Sequence, residues 1–384
     1  MGEELLMIPG PVPVLPRILE AMSKPMIFHR GDDFGTMYCE IVERLRDVFK
    51  TRNDPFVLSG SGTCAMEAAI GNLAGNDTEI VCIANGKFGE RFAKIADRYT
   101  EHVKALNFTW GTSIDSDAVK AALESNPDVI TMVHNETSTG ILNPAGEVGK
   151  LARKHDAVFV LDCVTSIGGD EVPVDDMGVD IAIVGSQKCL GMPPGVSAIS
   201  VSERAWALMH ENRKRRPFYM DLDAYKTSFA KRQTPYTPAL SLFFALREAL
   251  EVIKEEGMEQ RIKRHRTLSK AVRAAITVQG LSLFPELNEV SNYSNTVTAI
   301  NIPHELTDEQ LKGGMRKRGV IITGGQDELK GKIFRIATMG NITHKEVLKT
   351  IQALEEVLVE NEYIVDEGRG MEEAKKVLSE IPGK

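Results

Sequence analysis

Five cysteines in 384 residues (Cys39, Cys64, Cys82, Cys163 and Cys189), an odd number without a C-x-x-C pair, make neither a disulfide framework nor a zinc or iron–sulfur pattern. Such thiol usage fits the reducing cytoplasm. No apolar run approaches the roughly 20 residues that cross a bilayer. The segment from Met1 to Gly10 starts acidic and breaks at Pro9 after a short apolar run, unlike a signal peptide or a membrane anchor. An excess of positive charge is missing as well. The 46 basic residues against 54 acidic ones leave a net charge of −8, which argues against a nucleic-acid partner. One basic run, Arg213-Lys214-Arg215-Arg216, adjoins a helical pattern and is expected to be its solvated end. Internal repeats and low-complexity tracts are also absent.

What is present is a regular alternation. With 42% hydrophobic and 26% charged residues, the chain has the composition of a globular protein with a large core. Short apolar runs at Phe56–Leu58, Glu79–Ala84, His102–Leu106, Asp128–Val133, Ala157–Asp162, Asp180–Gly185 and Val196–Val201 predict strands. Helical patterns at Phe34–Lys50, Arg91–Tyr99, Ser116–Glu124 and Glu147–His155 stand among them, the texture of an α/β fold. Its sheet is expected to be mostly parallel and covered by helices on both faces. Beyond Thr237, two long helices, Leu240–Glu256 and Met258–Val278, lead to a smaller α/β unit with strands at Thr296–Ile302, Gly319–Thr323 and Lys332–Ala337. Helices are expected there at Thr307–Lys317, Thr343–Val359 and Gly368–Ile381. We therefore expect an N-terminal arm (1–20), a large domain (21–253) and a small C-terminal domain (254–384), with the boundary near Ile253 because no Pro/Gly linker divides the patterns.

Lys188, in Gly185-Ser186-Gln187-Lys188, follows the apolar strand Asp180–Val184 directly. Most lysines are solvated charges. One held in an apolar setting has a lowered pKa and becomes a nucleophile toward an aldehyde. Asp162 ends another buried-looking strand, and a lysine and a carboxylate at neighbouring strand ends are what pyridoxal 5′-phosphate requires, one to form an imine and one to keep the pyridine nitrogen protonated. The loop Ser59-Gly60-Ser61-Gly62-Thr63 joins a strand to a helix, a place where free N–H groups and the helix dipole bind phosphate. It has neither Walker A nor G-x-G-x-x-G spacing. Phe88, after the strand ending at Ala84, offers a ring to stack on a flat group. Thr137, in His134-Asn135-Glu136-Thr137-Ser138-Thr139-Gly140, offers a hydroxyl at the next strand end. All five segments lie beyond carboxyl ends of strands, where open α/β sheets bind ligands.

These motifs resemble the class V, fold-type-I aminotransferases of the alanine–glyoxylate/serine–pyruvate group. The resemblance runs from Pro9-Gly10-Pro11 through the segments above and Pro193-Pro194-Gly195 to Gly331-Lys332-Ile333-Phe334-Arg335, with Ser186-Gln187-Lys188 and Pro193-Pro194-Gly195 its most specific part. It implies that Lys188 forms the Schiff base with pyridoxal phosphate, Gln187 contacts the cofactor beside it, and Asp162 partners the ring nitrogen. It further implies that Ser61, Gly62 and Thr63 hold the phosphate, Phe88 stacks on the ring, Val164 packs on the opposite face, and Thr137 lies near the phenolic oxygen. It also implies that Arg335 takes the substrate carboxylate, which a planar guanidinium binds best.

Two departures from relatives stand out. Phe88 replaces a frequent tryptophan, and Thr234 stands where a tyrosine would reach the partner's phosphate, so only Thr237 carries over from that pair. The resemblance implies a homodimer with a shared site, acting on a small amino acid (alanine or serine) and a 2-oxo acid (glyoxylate or pyruvate). Aspartate is the alternative donor and needs a second cation, for which His29, Arg30, Lys226 and Arg232 are candidates. A desulfurase would need a mobile thiol, but Cys163 and Cys189 are expected to be packing groups. A non-catalytic protein that keeps the fold is the remaining reading.

Overall fold

The computed structural model describes residues 4–212, 216–363 and 366–379. Arg213, Lys214 and Arg215 of the basic run thus lie outside the described residues, as do the last residues of the expected C-terminal helix. Arg216 turns inward and pairs with Asp223.

Seven strands form the central sheet, in the order Phe56–Leu58, Ser197–Val201, Ile181–Gly185, Val158–Asp162, Val129–Val133, Ile80–Ala84, Val103–Asn107. Six point one way; Ser197–Val201 runs antiparallel to both its neighbours. The sequence dictates this through unbroken apolar runs whose alternate residues enter different cores. Val81, Ile83, Ile130, Met132, Phe159, Leu161, Ala182 and Val184 belong to one apolar layer; Ile80, Cys82, Val129, Val133, Val158, Val160, Ile181 and Ile183 belong to the other. A strand buried on both faces has no polar side to alternate, which is why these runs are continuous. Val103–Asn107 is the exception: it is partly exposed throughout, as befits an edge.

The chain steps outward from Ile80–Ala84 to the edge strand, then returns to the far side of Ile80–Ala84 at Val129–Val133 and continues inward. This reversal is a topological switch point, and it places a crevice at the carboxyl ends of these strands.

The smaller sheet is antiparallel, with Ile333–Ala337 central between Val297–Asn301 and Thr323–Gly324. It shares a third apolar core with Met258–Val278, Asp308–Lys317, His344–Glu360 and Arg369–Leu378. Capping boxes start two of these helices, Thr307 with Gln310 and Thr343 with Glu346, each satisfying two otherwise orphaned N–H groups. The expected strand Gly319–Thr323 divides. Val320–Ile321 pairs with the N-terminal Leu5–Leu6, while Thr323–Gly324 joins the sheet of Arg335. The N-terminal arm therefore completes a second strand pair, a long-range contact that no local pattern announces. The helical pattern before the basic run is the helix Glu203–Glu211, whereas the short helix Leu222–Phe229 was not expected.

Candidate functional site

The arm continues from this strand pair to the crevice. Met7 exchanges backbone hydrogen bonds with Ile321 and Ala337, and the Val12 N–H donates to the Gln187 carbonyl. Between them, the Lys188 ammonium donates to the Pro9 carbonyl. Gly10 has φ +85°, and a Cβ there would lie 2.7 Å from Lys188 Cδ, so only glycine gives this turn both its conformation and its close approach.

Lys188, Asp162, Phe88, Val164 and Thr137 line one cleft, together with Val133, Asn135 and Thr165. Asp162 is buried, and its Oδ1 accepts a 2.8 Å hydrogen bond from the Val164 N–H. Burial raises its pKa to about 6, against the Val164 hydrogen bond and the nearby positive charges. Burial also lowers Lys188 to about 8, although Cys189 and Asp162 act the other way. The cleft thus brings a reactive amine and a proton-holding carboxyl together.

Ser61 precedes the helix Gly62–Leu73, and no side chain caps its first turn. Thr63 Oγ1 accepts from Arg91 Nη1 at 3.0 Å, and the Arg91 guanidinium stands 4.6 Å over the Phe88 ring. Gly62 packs so closely on Val164 that a Cβ would meet Cγ2 at 2.7 Å. Gln187 Oε1 is buried without a hydrogen-bond partner. An open helix N-terminus, a glycine-wide approach and an unspent acceptor beside Lys188 all fit pyridoxal phosphate.

Arg335 is buried at the centre of the small sheet. Its Nη1 donates to the Thr137 carbonyl at 2.9 Å, while Nε and Nη2 donate to the Gly324 carbonyl at 3.1 and 2.8 Å. Burial lowers its pKa to about 10, and Glu136 opposes that shift. No carboxylate pairs with it among the described residues, so its remaining N–H groups suit an incoming one. Thr237 is exposed and does not line this chain's cleft. Two residues on, the Ala239 N–H reaches Ser59 Oγ at 3.4 Å, so this stretch runs beside the turn from Ser59 to Thr63.

Glu136 was not singled out from the sequence, yet it holds the crevice together. It is fully buried and accepts from the Phe88 and Gly89 N–H groups at 3.0 and 3.1 Å and from Ser138 Oγ at 2.5 Å. It joins its own segment to the first turn of the helix Lys87–Ala96, 48 residues away in sequence, a partnership invisible in either. Burial raises its pKa even so. Arg91 also escaped notice, as an ordinary helical arginine. Cys163 and Cys189 are fully buried and their thiol pKa values are pushed up by burial, as expected of packing groups.

The family model for class-V aminotransferases matches residues 18–347. An uncharacterized aminotransferase of Methanocaldococcus jannaschii is 44% identical, over 98% of both chains. A protein of Synechococcus named as the small subunit of a soluble hydrogenase is 36% identical, also over 98% of each. Among solved structures, the ureidoglycine–glyoxylate aminotransferase of Bacillus subtilis superposes with a TM-score of 0.93 at 32% identity, covering 99% of both chains.

Proposed function

Because the chain belongs to the class V aminotransferases, whose cofactor is pyridoxal 5′-phosphate, we propose that it moves an amino group from a small amino acid, alanine or serine, to glyoxylate or pyruvate. The observation that carries this reading is that Lys188 and Asp162 share one small crevice, while Arg335, with no carboxylate partner among the described residues, is tied to the carbonyl of the crevice residue Thr137. Glyoxylate also stands in the name of the similar Bacillus subtilis aminotransferase.

When bound, the cofactor supplies an electron sink for the pair released at the substrate Cα. Lys188 Nζ would hold the cofactor through its aldehyde and, once free as a neutral amine, would be the base that takes up the substrate's Cα proton. Asp162 would keep the cofactor's ring nitrogen protonated. Phe88 and Val164 would hold the ring, Thr137 and Gln187 would offer it polar groups, and Ser61, Gly62 and Thr63 would hold the phosphate. Arg335 binds the substrate carboxylate and so orients the Cα–H bond.

Three cations weighed for an acidic substrate are engaged elsewhere. Arg30 donates to Gln233 Oε1 and to the Thr234 and Pro235 carbonyls, Arg232 donates to Thr36 Oγ1, and the Lys226 ammonium sits 4.3 Å from the centre of the Trp206 ring. This favours a small donor over aspartate. The working form is a cytoplasmic homodimer in which Thr237 serves the partner's phosphate. Its support is Thr237's exposure beside a patch of Tyr236, Tyr219 and the 82%-exposed Phe218. No described helix is long and apolar enough to cross a membrane.

The test is the visible spectrum of the purified holoprotein mixed in turn with alanine, serine, aspartate, glutamate and cysteine. Conversion of the yellow band to the pyridoxamine form by alanine or serine supports the reading; conversion by aspartate alone overturns the small-donor assignment. Arg335→Ala is expected to raise KM for both the amino and the oxo acid about 100-fold while cofactor stays bound, as loss of a charge-assisted bidentate contact does. Loss of cofactor instead would make Arg335 a structural residue.

A further inference from the structure

Arg91, in the helix Lys87–Ala96, has no task in the transfer above, yet it stands at the phosphate turn. Its Nη1 donates to Thr63 Oγ1 and its guanidinium covers the Phe88 ring, which orients the plane. The nearby Glu90 is taken by Lys94 and by the Trp110 indole, and no ion pair among the described residues includes Arg91. Its partners are thus one neutral hydroxyl and one ring, with most of its five N–H donors unspent.

The charge balance of the crevice calls for such a group. A phosphate monoester brings between about −1.5 and −2 charges into a crevice that already holds the Asp162 carboxyl. A helix N-terminus offers only about +0.5. Lys188 and Arg335 are committed to the aldehyde and the substrate carboxylate. Arg335, moreover, is tied to Thr137 and Gly324, whereas Arg91 is tied to the phosphate turn itself. We propose that Arg91 is the cationic side chain of the cofactor's phosphate subsite, an assignment that rests on the cofactor reading above. Thr63 aims the guanidinium and Phe88 holds it flat.

The experiment compares pyridoxal phosphate with pyridoxal, which has the same ring and aldehyde but no phosphate. Apoprotein of the wild type, Arg91→Gln and Arg91→Lys is titrated with each and followed by the imine absorbance. Arg91→Gln should weaken pyridoxal phosphate about 10- to 100-fold and pyridoxal less than about 3-fold, and Arg91→Lys should fall between, since it keeps charge but not the planar fork. Equal losses for the two ligands, or no loss, overturn the proposal: Arg91 would then act on the ring through Phe88 or not at all. A wild type that binds neither ligand removes the cofactor reading and this proposal with it. Should Arg91→Gln fail to fold, the phosphorus NMR resonance of bound cofactor decides between wild type and Arg91→Lys. A shifted resonance supports the contact, and an identical one overturns it.

Discussion

Lys188→Ala lowers transamination at least about 10⁴-fold, the scale of losing both a nucleophile and a general base, and the protein no longer forms the lysine imine band with pyridoxal phosphate. The reason begins in the sequence, where an apolar strand delivers the amine into a partly buried crevice. There burial brings its pKa down to about 8, so an appreciable share of the amine is neutral near that pH, while an exposed lysine is charged. Imine formation by wild-type apoprotein should therefore speed up as pH rises through about 8, because only the neutral amine attacks. The fold should survive the substitution. What is lost structurally is the hydrogen bond to Pro9, about 1 kcal/mol. Stopped-flow absorbance with alanine or serine measures the half-reaction, and an added small amine should restore part of the proton transfer. Near-normal turnover in the variant would remove Lys188 from the mechanism.

Asp162→Asn separates function from stability. The rate should fall about 1000-fold or more, since a neutral amide cannot hold the ring nitrogen protonated. Apoprotein stability should move the other way. The carboxyl has its pKa raised from 3.8 to about 6 in the folded chain, chiefly by burial. A raised carboxylate pKa means the native state holds the proton more tightly. Its stabilising contribution is present below the unfolded value and is lost as pH rises toward about 6. Above pH 7 the ionised form costs about 3 kcal/mol relative to the protonated one. Thermal unfolding of cofactor-free protein should thus show Asp162→Asn more stable than wild type at pH 7 to 8, with the gap closing toward pH 4. Adding cofactor should narrow or reverse the gap, because a protonated ring nitrogen gives the wild-type carboxylate its partner. Equal unfolding temperatures at both pH values, or an unimpaired rate, would contradict this account.

Much of this protein was legible in one dimension. Continuous apolar runs set the buried strands within a residue or two, since a strand covered on both faces must be apolar at every position; the capping threonines Thr307 and Thr343 marked helix starts for equally local reasons. Lys188 and Asp162 stood out because a charge at the end of such a run is costly without a purpose. What remained hidden was everything held by contacts distant in sequence. Glu136 joins its loop to Phe88 and Gly89, Arg91 spans from one helix to the Thr63 turn of another, and Leu5–Leu6 pairs with Val320–Ile321 before Pro9 meets Lys188. Periodicity and turn chemistry record a residue's local environment, whereas these partners are chosen by the packing of a finished sheet. The sequence by itself determined the strands, their buried character and the two residues at their ends; only the tertiary structure decided which loops share the crevice, which cations are already engaged, and which arginine remains for the phosphate.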